Sequence, residues 1–217
     1  MVKKVNYSEA EMVSLFKLTR LATSLTPRLA SWLTVAPPTL SVGEQYVFDT
    51  TYEYAKDKMY AWNEEDLKMN FISHILPLGY LKSNDRYFTF YERTLSSEVK
   101  GVLLTAKTDF MLATGVIDKP EHPYFHFQEY KPSKRPTGDS MAQLLAAMLV
   151  AQEKNANGKP IYGCEIIGKD WRFIILDDQT YCISKAYDAT NKDDLLTIIA
   201  ILRHFVHILE TELLDDI

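Results

Sequence analysis

Between Arg86 and Lys131 the chain runs through three stretches in which successive side chains alternate with a period of two. Tyr87, Thr89 and Tyr91 alternate with Phe88 and Phe90, and Val102, Leu104 and Ala106 alternate with Leu103, Thr105 and Lys107. A third run covers Tyr124 to Lys131. Period-two runs read as strands, because neighbouring side chains leave opposite faces of a pleated backbone. The first two, Arg86 to Leu95 and Val99 to Thr114, read as a hairpin, and with the third they form a three-stranded meander. That meander constrains everything built around it.

Helical spacing surrounds it. Asn63 is a good cap for a helix carrying Leu67, Phe71, Ile72, Ile75 and Leu76, which Pro77 and Gly79 stop. A second helix starts at Asp139 or Ser140 and continues to about Lys154. Three short strands follow, around Ile161 to Ile167, Trp171 to Leu176 and Tyr181 to Ile183, with Gly168-Lys169-Asp170 as a hairpin turn. A last helix begins near Lys192, with Asp193 and Asp194 at its positive end and an apolar stripe from Leu195 to Leu209. Upstream, residues 8–34 read as two helices, Ala36-Pro37-Pro38 as a hinge, and Glu44 to Tyr60 as either helix or strand. The order predicts an α/β fold, a central mixed sheet flanked by helices. Residues 1–60 form an N-terminal helical extension packed on a domain spanning 61–217.

With 217 residues, 47% hydrophobic and 24% charged, the chain is suited to one core. Its longest apolar runs, Leu144 to Ala151 and Leu195 to Leu202, are far short of a bilayer span. Polar Asn6, Ser8 and Glu9 follow Lys3 and Lys4 where a signal core would be apolar, so a cytoplasmic protein with reduced Cys164 and Cys182 is expected. The net charge of −5 argues against non-specific coating of nucleic acid but leaves room for a local site.

Candidate chemistry lies in the meander. Glu129 and Lys131 project from one face of the third strand and Tyr130 from the other. Asp109 sits in an apolar segment, where a charge is costly unless it binds a cation. On neighbouring strands Asp109 and Glu129 converge, and two hard oxygen ligands suit Mg²⁺. Plainer readings stand beside these: Asp109 paired with Lys107, and Glu129 with Lys131 as a simple surface pair. Gln143, among Met141, Ala142, Leu144 and Leu145, either needs buried partners or faces solvent. The loop 131–136 holds Lys131, Lys134 and Arg135, which contact phosphate or are simply solvated. His204, His207 and Glu210 recur at three-residue intervals, a spacing that a polar helix face explains without zinc. His126 points away from Glu129 if the alternation is unbroken, and no Gly-rich phosphate loop, Ser/His/Asp set or CxxC pair is present.

In order along the chain, Asn63-Glu64-Glu65-Asp66, Lys107-Thr108-Asp109-Phe110-Met111-Leu112, Phe127-Gln128-Glu129-Tyr130-Lys131-Pro132 and then Gln143 resemble the PD-(D/E)XK nuclease superfamily. Within it, the resemblance is to the N-terminal nuclease domain of type I restriction enzyme subunits, over roughly residues 63–185. It implies Asp109 and Glu129 as metal ligands, Lys131 as catalytic lysine, Glu64 (or Glu65) completing the metal shell, and Gln143 orienting the site. Mg²⁺, with Mn²⁺ as substitute, would be the cofactor of phosphodiester hydrolysis, on DNA in preference to RNA. Lys134 and Arg135 would then touch nucleic acid. Thr108 departs from the pattern, standing where the superfamily's proline would be. The alternative is a nucleic-acid- or protein-binding module that keeps the fold without turnover, and the N-terminal helices offer a homodimer surface.

Overall fold

The computed structural model describes residues 7–22, 26–134 and 136–214. Its described residues form an α/β fold, an open mixed sheet of eight strands flanked by helices. In chain order these are α1 (Glu9–Phe16), β1 (Thr19–Leu21), α2 (Pro27–Leu33), α3 (Val42–Ala55) and α4 (Glu64–Leu67). A π-helical turn over Lys68–Ile72 joins α4 to α5 (Ser73–Leu78). The meander is β2 (Phe88–Val99), β3 (Val102–Val116) and β4 (Lys119–Lys131), followed by α6 (Ser140–Asn155). Then come β5 (Ile161–Ile167), β6 (Asp170–Asp177), β7 (Thr180–Ile183), β8 (Tyr187–Asp188) and α7 (Lys192–Ile208).

The sheet runs β1-β7-β6-β5-β4-β3-β2, with β8 added against β6. Two of its pairs are parallel, β1 with β7 and β4 with β5. The second needs a crossover, and α6 supplies it. Its residues 140–151 are almost all buried, because α6 lies between the sheet and α1. On that face Met111, Phe127, Ile161 and Ile174 pack with Met12 and Phe16 of α1 and with Leu145 and Met148 of α6. The opposite face carries Phe110, Tyr162 and Phe173 against Trp32, Phe71, Ile198 and Phe205 from α2, the π turn and α7.

The undecided segment after Glu44 is helical to Ala55: Ser41 and Glu44 cap α3 reciprocally. Residues 8–34 do contain two helices, but β1 lies between them and pairs with β7 as Thr19↔Thr180 and Leu21↔Cys182. Three residues are too few to display a period. The chain from Thr34 to Ser41, including Pro37 and Pro38, has no regular structure. Both cysteines are buried and free. No described helix is long and apolar enough to cross a membrane.

Gly168 turns β5 into β6 with φ +56°, and a Cβ there would overlap the Ser133 side chain. Its N–H donates to the Lys131 carbonyl at 2.8 Å. The segment leaving β4 is thereby fastened to the β5–β6 hairpin.

Candidate functional site

The β3–β4 ladder ends at Phe110↔Gln128, while β3 stays paired to β2 as far as Val99↔Val102 and β4 stays paired to β5 as far as Lys131↔Ile167. The two strands therefore fork, and the residues just beyond the last pair are Asp109 and Glu129. Asp109 fills the fork, its Oδ2 accepting the Tyr130 N–H at 2.7 Å. Thr108, also buried, brings its hydroxyl within 2.9 Å of the Phe110 carbonyl and 3.1 Å of the Gln128 carbonyl. It ties the strands together where the ladder stops.

The register extends this into a row of acids. Glu92 lies between the pairs Tyr91↔Phe110 and Arg93↔Thr108, opposite Asp109, and Glu129 is paired with Glu165 on β5. Glu92, Asp109, Glu129 and Glu165 thus cross four strands side by side, and Arg172 follows on β6 as the partner of Glu165. Like charges in adjacent strands repel, so each acid requires a partner. Lys68 Nζ lies 2.8 Å from Glu64 Oε1, 2.8 Å from Glu92 Oε1 and 2.9 Å from Asp109 Oδ1. Lys107 pairs with the other oxygen of Glu92 and not with Asp109. Lys131 Nζ is 2.7 Å from Glu129 Oε1 and 3.9 Å from Glu64 Oε2. Glu165 accepts from the Ser140 hydroxyl and, at 3.1 Å, from Arg172, which fixes the first residue of α6 beside the row.

Glu64, Asp109, Glu129, Lys131 and Gln143 line one cleft of about 200 Å³, with Tyr7, Glu92, Lys107 and Asp139 on its walls. Glu64 faces it; Glu65, 77% exposed in its side chain, reaches only Lys68, at 3.7 Å. Gln143 is half-buried, and its Oε1 has no partner among the described residues. Lys134 stands over the Tyr60 ring, its Nζ 4.7 Å from the centroid. Arg135 lies outside the described residues. His126 is fully buried on the opposite face, 4.7 Å from the Phe205 ring centroid. On α7, His204 Nδ1 lies 2.9 Å from the Trp32 carbonyl, and in the π-helical turn that follows, Leu209–Leu213, Glu210 accepts from the Tyr87 hydroxyl at 3.0 Å, so both already serve packing.

Burial dominates the electrostatics. It pushes Glu129 up to about 7, helped by the Asp109 charge and opposed by Lys131. Burial also raises Asp109, against the pull of the Tyr130 N–H and Lys68. Partial burial works against ionised Glu92, yet Lys107 and Lys68 hold it at about 2. Burial opposes the Lys68 ammonium, but hydrogen bonds to Glu64, Glu92 and Asp109 raise it well above the usual lysine range. Four carboxylates, Glu64, Glu92, Asp109 and Glu129, face three ammoniums, Lys68, Lys107 and Lys131, and the cluster keeps a net negative charge.

Sequence reasoning missed Lys68, Glu92 and Glu165. Lys68 follows Glu64 by four residues on a helix, a spacing that does signal a side-chain pair. Glu92 carries a left-handed φ of +54° inside a strand, a conformation common where function constrains the backbone, but without sequence signature. Among the described residues no three His, Cys, Asp or Glu side chains already stand together as a ligand set, since lysines lie between the acids. The carboxylates that line the cleft are those of Glu64, Glu92, Asp109, Glu129 and Asp139. No family model and no curated protein sequence matches the chain.

Proposed function

We propose that this cleft hydrolyses phosphodiester bonds in nucleic acid, DNA in preference to RNA, with Mg²⁺ or Mn²⁺, on a core of the PD-(D/E)XK type. One observation carries the reading: the β3–β4 fork brings Asp109 and Glu129 out side by side, with Lys131 on the Glu129 carboxylate and Glu64 of α4 facing them across one cleft. The donor set suits a hard divalent cation, because it is all carboxylate and because Asp109 and Glu129 stand side by side on adjacent strands. When bound, the cation polarises a phosphoryl oxygen and lowers the pKa of water.

Asp109, Glu129 and Glu64 would hold the cation. Lys131, anchored at 2.7 Å on Glu129, presents an ammonium to the charge that develops at phosphorus. Gln143 offers an unpartnered carbonyl oxygen to orient a water or substrate hydrogen. Lys134, on the loop fastened to Gly168, supplies a phosphate contact beyond the cleft.

A non-catalytic binding module is the second reading, favoured by the Lys68 ammonium that already compensates Asp109. Plasmid cleavage in MgCl₂ or MnCl₂ separates the two. Lys131→Ala should lower cleavage by a factor of about 100 to 1,000 and leave Mn²⁺ affinity within a few-fold, because its ammonium acts on the transition state. A wild-type protein that cuts neither DNA nor RNA with either metal favours the binding module.

A further inference from the structure

We propose that Lys68 is the resident counter-cation of the cleft, and that a divalent metal enters by displacing its ammonium from Asp109 and Glu64. The inference rests on the metal-dependent part of the reading above. An ammonium has three donors, and all three are engaged: Glu64 Oε1 at 2.8 Å, Glu92 Oε1 at 2.8 Å and Asp109 Oδ1 at 2.9 Å. These acids come from a helix and two strands, and among the described residues Lys68 alone bridges the three. The other Asp109 oxygen, Oδ2, already accepts the Tyr130 N–H at 2.7 Å, so both oxygens of this carboxylate carry a donor. A cation that binds Asp109 through Oδ1 competes with Lys68 for that oxygen, and one that binds elsewhere in the cleft still meets the Lys68 charge.

The lysine has a place to go. Glu92 is half-exposed and stands at the outer end of the acidic row, and the Tyr130 ring centroid lies 5.9 Å from the ammonium. Retained on Glu92, Lys68 leaves Asp109 and Glu64 free while its own charge stays compensated. Its stem starts at the π turn, where the regular helical ladder is interrupted and the backbone is re-phased. In this scheme Lys68 holds the carboxylates together in the metal-free protein and sets the affinity for metal by occupying their oxygens.

Calorimetric titration of full-length protein with MnCl₂ tests the exchange. Lys68→Gln, which removes the competing charge, should bind Mn²⁺ at least about tenfold more tightly than wild type, the scale of one charge-assisted hydrogen bond no longer broken. Lys68→Arg, which keeps the charge, should show no such gain. Equal or weaker binding by folded Lys68→Gln overturns the proposal. Because that variant leaves Asp109 without its counter-charge, the wild type gives a second readout: the ¹⁵N signal of the Lys68 ammonium, shielded by three carboxylates, should shift and broaden on titration with MgCl₂. A signal unchanged at saturating Mg²⁺ overturns it as well. Exchange without cleavage of DNA or RNA sustains the inference and refutes the nuclease reading, whereas absence of Mn²⁺ and Mg²⁺ binding in every variant refutes both.

Discussion

At the scale of one residue, His126 shows what burial alone does to a titratable group. It is fully buried, its Nε2 is 3.1 Å from the Gln128 amide nitrogen, and Gln128 in turn accepts from the Tyr130 hydroxyl at 2.6 Å. Burial drives its pKa down to about 3. The folded value lies below the unfolded value of about 6.5, so the stability linked to a neutral His126 is complete above about pH 6.5 and is lost as pH falls toward 3. The linked loss is several kcal/mol, since each tenfold change in proton affinity is worth about 1.4 kcal/mol. Denaturant unfolding at about pH 7 and pH 4 should show a much smaller acid loss in His126→Phe than in wild type; equal losses would mean the histidine is not what titrates. Glu129 acts with the opposite sign: raised to about 7, it is destabilising in the metal-free protein as pH climbs from about 4.5 through 7. Asp109 was legible because it interrupts an apolar segment, and Glu129 and Lys131 because their spacing puts an acid and an ammonium on one strand face. Lys68 was not, because a single charge on a helix has many innocent explanations; Glu165 interrupts the apolar run Ile161 to Ile167 and carried the same signal as Asp109, but its neighbour Glu129 is far away in sequence.

At the scale of elements, helix starts complete a cleft lined mostly by strands: Glu64 opens α4 and Asp139 caps α6. Asp139 accepts from Ala142 N at 2.9 Å as the cap of α6 and from Glu9 N at 2.8 Å at the start of α1. One carboxylate thus caps two helices. Asp139→Ala should cost about 1–2 kcal/mol in chemical denaturation, and Asp139→Asn should recover part of it through the α6 cap; wild-type stability in Asp139→Ala would refute the double cap. Long elements could be read from periodicity: the stripe on α7 from Leu195 to Leu209 is buried as expected. The capping box Ser41-Glu44 is a readable start signal for α3, masked because the aromatics from Tyr46 to Tyr54 give no clean period. The π turn has no such signal, since it is fixed by packing of Phe71 and Ile72 rather than by local preference.

At the scale of the molecule, residues before α2 complete the sheet rather than decorate it. Met12 and Phe16 are fully buried, Leu18 nearly so, and β1 covers β7. Removing residues 1–22 should lower stability by several kcal/mol, at roughly 1.5–3 kcal/mol for each apolar side chain uncovered, and should produce concentration-dependent association through the bared strand. Denaturation and light scattering would detect both, and an unchanged, monodisperse truncated protein would refute it. The α/β class and the meander followed from the sequence pattern; the strand order did not, because parallel pairing of β1 with β7 and β4 with β5 depends on contacts between distant segments. The row of acids has a consequence for how that order is reached. Side chains alternate between faces, so a slip of β3, β4 or β5 by one residue would turn Asp109, Glu129 or Glu165 toward the aromatic layer of Trp32, Phe110 and Phe205, away from Lys68, Lys131 and Arg172. An orphaned buried charge costs several kcal/mol. The acids that shape the cleft therefore also proofread strand pairing: a misaligned sheet is penalised during folding by the same groups that a correctly aligned one offers to a cation.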